Sequence, residues 1–145
     1  MRRRMYLAAA VLLGGCPSEP PPVCTTEVID TGCGSLYVPT FDNVYANTLQ
    51  MGCGANRSSC HSASGEGGMS LADPATAHAA LLAGRVTPGD PTCSELIVRT
   101  HGVGTDYQMP PGGVLGSSER CALVKWVAAG APGPGEPLPA MWGPR

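Results

Sequence analysis

Cys53-Gly-Ala-Asn-Arg-Ser-Ser-Cys60-His61 sets a thiol directly beside an imidazole, with six residues separating the two thiols. A neighbouring Cys and His can tether a haem through sulfur and ligate its iron through nitrogen. Downstream, Gln108-Met109-Pro110-Pro111-Gly112-Gly113 holds a methionine that the following prolines push onto a stiff, extended loop. Taken alone, such a methionine reads as a filler of core gaps. Paired with His61 it reads as a second axial ligand, and iron with both axial positions filled suits electron transfer rather than chemistry on a substrate. The expectation is one covalent haem c, with Cys53, Cys60, His61 and Met109 as its binding residues, in an electron carrier that is not an enzyme.

Outward from this stretch the punctuation is helical. Phe41, Val44, Tyr45 and Leu49 recur at helical spacing behind Thr40, which predicts a helix over Phe41–Met51 that delivers the chain to Cys53. Asp73-Pro74 and Asp90-Pro91 each read as an N-cap followed by proline at the first helical position. The first predicts a helix to Ala83 with Gly84 as its stop, and the second a helix to about Thr100. Ser117 can cap a last helix, Ser118–Ala129, with Ala122, Leu123, Trp126 and Val127 as its apolar stripe and Gly130 as its stop. No segment alternates as a strand. One Phe and 20 Gly leave little apolar area, so a domain of this size gains from a flat apolar cofactor within its core.

These residues together carry a resemblance. The helix into Cys60-His61, then Gly67-Gly68-Met69-Ser70-Leu71, Val86-Thr87-Pro88-Gly89-Asp90, Met109-Pro110-Pro111-Gly112 and a last helix with Trp126 before Gly130-Ala131-Pro132 resemble the small c-type cytochromes of bacterial envelopes. The resemblance covers most of Phe41 to Pro132. It implies an all-α, cytochrome c-like fold of four to five short helices with long loops around a haem slot. It also implies His61 as proximal ligand, Met109 as distal ligand and Cys60 as a thioether attachment. The family's usual motif would put its first cysteine at position 57, which is Arg57 here. Three forms therefore stay open: two thioethers, one thioether at Cys60, or a Cys53–Cys60 disulfide in a haem-free lipoprotein that keeps the scaffold for binding or structural purposes. Met69 and His101 are the weaker substitutes at the distal position, and His78 reads as a plain surface or core histidine. Arg85 and Arg99 can pair with haem propionates, although solvated surface arginine is the ordinary reading.

The chain start sets the compartment. Arg2, Arg3 and Arg4 precede an apolar run, Met5 to Leu13, too short to span a bilayer, and Leu13-Gly14-Gly15-Cys16 resembles a bacterial lipobox. Residues 1–15 are then a signal peptide and Cys16 carries lipid, so the protein is expected on the periplasmic side of a bacterial envelope, anchored to a membrane. Residues 16–37 follow as a Pro-rich linker and a small cysteine loop, 38–132 as the haem domain and 133–145 as a Pro/Gly-rich tail. With Cys53 and Cys60 assigned to haem, Cys24 with Cys33 and Cys93 with Cys121 remain as disulfides, though six cysteines allow fifteen pairings. Removing the three signal arginines leaves six basic against eleven acidic residues. No basic patch points to nucleic acid, and an acidic surface suits redox protein partners of opposite charge. Scattered cysteines and a lone His61 do not make a zinc site, and adjacent Cys60 and His61 do not make a catalytic pair.

Overall fold

A computed structural model describes residues 20–54, 60–63 and 65–142, with the backbone alone at Glu66; the expected signal peptide over 1–15, the expected lipid site at Cys16 and Arg57 lie outside them. The described residues are all-α: four α-helices, a π-helical segment and short 3-10 turns, with no strand among them. None of these helices is long and apolar enough to cross a membrane.

Helix α1, Phe41–Val44, begins at the expected cap, where Thr40 Oγ1 accepts from the Asn43 amide. Its continuation departs from the expected α-helix. Tyr45–Cys53 is π-helical, and the Gly54 amide bonds back five residues to the Leu49 carbonyl at 2.7 Å. A Cβ on Gly54 would come within 3.1 Å of the Gln50 backbone, so a side chain at the residue that ends this wide turn would be tightly crowded. Helix α2, Pro74–Leu82, starts at Asp73, whose carboxylate accepts from Thr76 N at 2.9 Å and Thr76 Oγ1 at 2.7 Å. Gly84 follows at φ +103°, a left-handed stop that favours glycine.

Helix α3, Glu95–His101, starts later than Asp90-Pro91 predicts. Asp90 Oδ1 instead accepts from the amides of Thr92 and Cys93, and buried Ser94 donates to the Asp90 carbonyl. This local turn absorbs the capping chemistry before the helix begins. Helix α4, Ser117–Ala128, is entered from Gly116, whose amide donates to Glu119 Oε2 at 2.8 Å. It is buried on more positions than one stripe, including Cys121, Leu123, Val124, Trp126 and Val127. Trp126 and Phe41 meet with ring centroids 5.3 Å apart, His78 edges onto Phe41 at 4.9 Å, and Leu49, Leu81 and Ile97 complete the core.

The disulfides overturn the expected local pairing. Cys24 bonds Cys93 and Cys33 bonds Cys121, so the small Cys24–Cys33 loop is not formed. Chain position explains the choice: Thr25 N donates to the Thr92 carbonyl at 2.9 Å, and Leu36 N to the Ser118 carbonyl at 3.2 Å, setting each arm cysteine beside its partner. Links across 69 and 88 residues restrict the unfolded chain far more than a local loop would. The tail also returns to the body. Trp126 Nε1 donates to the Pro132 carbonyl, Gly135 N donates to Asp42 Oδ2, and Trp142 ends half-buried in a 3-10 turn.

Candidate functional site

Beside the core, the π-helical segment, α2, α3 and the loops carrying His61, Arg85 and Met109 line a cavity of about 350 Å³. Cys53, Cys60, His61 and Met109 all line it. Sites so far apart in sequence meet because each arrives on a separately fastened segment. Cys53 is the last residue of the π-helical segment. His61 is tied into place through its carbonyl, which accepts from Leu71 N at 2.8 Å. Its Nδ1 lies 3.4 Å from the Met69 carbonyl; with the proton on Nδ1 this contact orients the ring and keeps the proton off Nε2. Met69 also lines the cavity, but its backbone stands behind the imidazole edge opposite Nε2.

The Met109 loop is built from its own polar groups. Met109 N donates to the Arg99 carbonyl at 3.0 Å, and the Met109–Pro110 peptide is cis. Gln108 closes the loop: its Oε1 accepts from Gly104 N, while Nε2 donates to the carbonyls of Pro110 and Gly113. His101, one of the two weaker distal substitutes, makes its contact with the Ile97 carbonyl and does not line the cavity. Burial, helped by Arg120, lowers its pKa. His78 sits at the core edge, its Nε2 2.9 Å from the Ala131 carbonyl.

Cavity electrostatics centre on Glu95, which the sequence pattern did not single out, and on Arg85 and Arg99, which it did. Glu95 accepts from Arg85 Nη1 at 2.8 and 2.7 Å and from Arg99 Nε at 2.7 Å, and all three line the cavity. Burial of the Glu95 carboxyl works to raise its pKa, but the hydrogen bonds from Arg99 and Arg85 outweigh it and hold the group below the ordinary carboxylate value. The arginines expected to be solvated or bound to propionates are thus engaged by a protein carboxylate. Four-residue spacing of Glu95 and Arg99 on one helix was the signal available. Cys53 experiences the opposite influence: burial, with a contribution from Glu119, pushes its thiol up to about 11, so it stays neutral. Among the described residues, no group of three or more His, Cys, Asp and Glu gathers to hold a metal ion by itself.

Compared with known proteins, the chain matches no family model, no curated protein and no solved structure.

Proposed function

We propose that this chain is an envelope-anchored monohaem c-type cytochrome, cytochrome c-like in fold, that passes single electrons between redox protein partners and is not a catalyst. One observation carries the reading: a single cavity collects Cys53, Cys60, His61 and Met109. Its volume of about 350 Å³ falls within the roughly 300–1,000 Å³ usual for cofactor sites. Its walls also have the chemistry a haem needs, with Leu49, Leu71, Leu81 and Leu96 as apolar surface and a cationic pair beside Glu95. His61 and Met109 would hold the iron, and Cys53 and Cys60 would hold the macrocycle edge. When bound, a haem held by these residues would supply a one-electron couple. The protein orients the imidazole through the Met69 carbonyl, holds Met109 on a loop fixed by Gln108, and keeps Cys53 uncharged among apolar neighbours. The lipid anchor at Cys16 and the periplasmic location belong to the same proposal.

The haem-free, disulfide-stapled lipoprotein is the second reading, and the two long-range disulfides support it because they hold the body together without a cofactor. A pyridine haemochrome spectrum of protein made in a host with cytochrome maturation separates the two. Covalent haem at about one per chain is the expected result; its absence sinks the cytochrome reading. In loaded protein, Met109→Ala is expected to abolish the sulfur-to-iron charge-transfer band, while Met69→Ala leaves it.

A further inference from the structure

We infer that Glu95 is a positioning residue that fastens both axial-ligand loops to α3 at once. The inference takes the meaning of the two loops from the proposed haem function, but its geometry stands without a cofactor. The path toward His61 runs through Arg85. While Nη1 of Arg85 grips both Glu95 oxygens, its Nη2 donates to the Gly67 carbonyl at 3.0 Å. Gly67 belongs to the turn that leads to Met69, whose carbonyl faces His61 Nδ1. The path toward Met109 runs through Arg99. Its Nε donates to Glu95 Oε1, its Nη1 to the Tyr107 carbonyl at 3.2 Å, and its own carbonyl accepts from Met109 N at 3.0 Å.

One carboxylate therefore orients two guanidinium groups, and each guanidinium gives a remaining donor to a backbone carbonyl two residues from Met69, which orients His61, or from Met109 itself. The rigid fork of arginine makes this transmissible, because fixing one edge of the plane fixes the direction of the other donors. Restricted exposure favours the same end: Glu95 and Arg99 side chains are each 19% exposed, which limits competition from water. An isolated surface pair would not have this property.

The test is amide hydrogen exchange read by mass spectrometry on the full chain, purified from a host with cytochrome maturation. A haemochrome assay on the same preparation decides the haem reading separately. Glu95→Gln keeps the side-chain shape, and is expected to raise exchange about tenfold or more at both Gly68 and Met109 while leaving Val124 in α4 unchanged. Arg85→Lys is expected to raise Gly68 only, and Arg99→Lys to raise Met109 only. If the preparation carries haem, Glu95→Gln also weakens the sulfur-to-iron band. A Glu95→Gln protein in which only one loop responds, in which neither responds, or in which Val124 rises equally overturns the inference, as does an unchanged band in loaded protein.

Discussion

The α1/α4 side and the cavity side of this molecule are stabilised by different physics. On the first, Phe41, Trp126, Leu123 and Val127 are fully buried, and the disulfide at Cys121 ties α4 to the N-terminal arm. On the second, helical walls are joined by loops that hydrogen bonds such as those of Gln108, a partly exposed ion cluster and prolines hold in place. The contrast shows a division of labour. Apolar burial and cross-links give one side a stiff frame, and directional polar bonds give the other the alignment that a ligand site needs.

Three experiments bear on that division, beginning with the largest expected effect. Trp126→Ala removes the largest fully buried side chain and its hydrogen bond to Pro132. It should cost about 3–5 kcal/mol in denaturant unfolding. A loss below about 1 kcal/mol would mean the frame does not depend on this packing.

Gly102→Ala attacks the cavity side alone. A Cβ there would lie 2.4 Å from Tyr107 Cε2 and 3.0 Å from the Val98 carbonyl oxygen, so Tyr107 must shift. Overpacking of this kind costs about 1–3 kcal/mol. Exchange at Gln108 and Met109 should rise while α4 amides keep their protection; equal loosening of both sides would erase the contrast.

Smallest is the acid dependence. Glu95 has its pKa lowered from 4.5 despite burial, by hydrogen bonds from Arg99 and Arg85. Its contribution to stability is thus complete above about pH 4.5 and is lost as pH falls through the lower folded-state value. His101, lowered from 6.5 by burial and Arg120, resists protonation when folded, so its contribution declines as pH drops below 6.5. Urea midpoints measured from pH 7 to 3 should fall in both windows, and Glu95→Gln should flatten only the more acidic one. A midpoint independent of pH in Glu95's window would remove the ion cluster as a stabilising element.

Legibility followed the range of the interactions. Thr40 and Asp73 were readable as caps because the groups they bind are three residues away. The apolar positions of α4 were readable because helical periodicity repeats within two turns. The start of α3 was misread because Asp90 turns on Thr92 and Cys93 instead, in a segment held by Cys24 from the far end of the chain. Met109 and His61 stood out by chemistry, whereas Glu95 did not, because its role comes from Gly67 and Tyr107 through two arginines.

The sequence by itself determined the all-α class, the caps at Thr40 and Asp73, the main apolar positions and the residue types able to serve a haem. Local hydrogen bonds and side-chain periodicity act over a few residues, so neighbours in the chain suffice to specify them. Only the tertiary structure decided the disulfide partners, the π-helical run into Cys53, the cavity that unites residues 53 to 109 and the grip of Glu95 on two loops. Those features depend on contacts between distant segments, whose positions are set by how the whole chain excludes water and satisfies its buried polar groups.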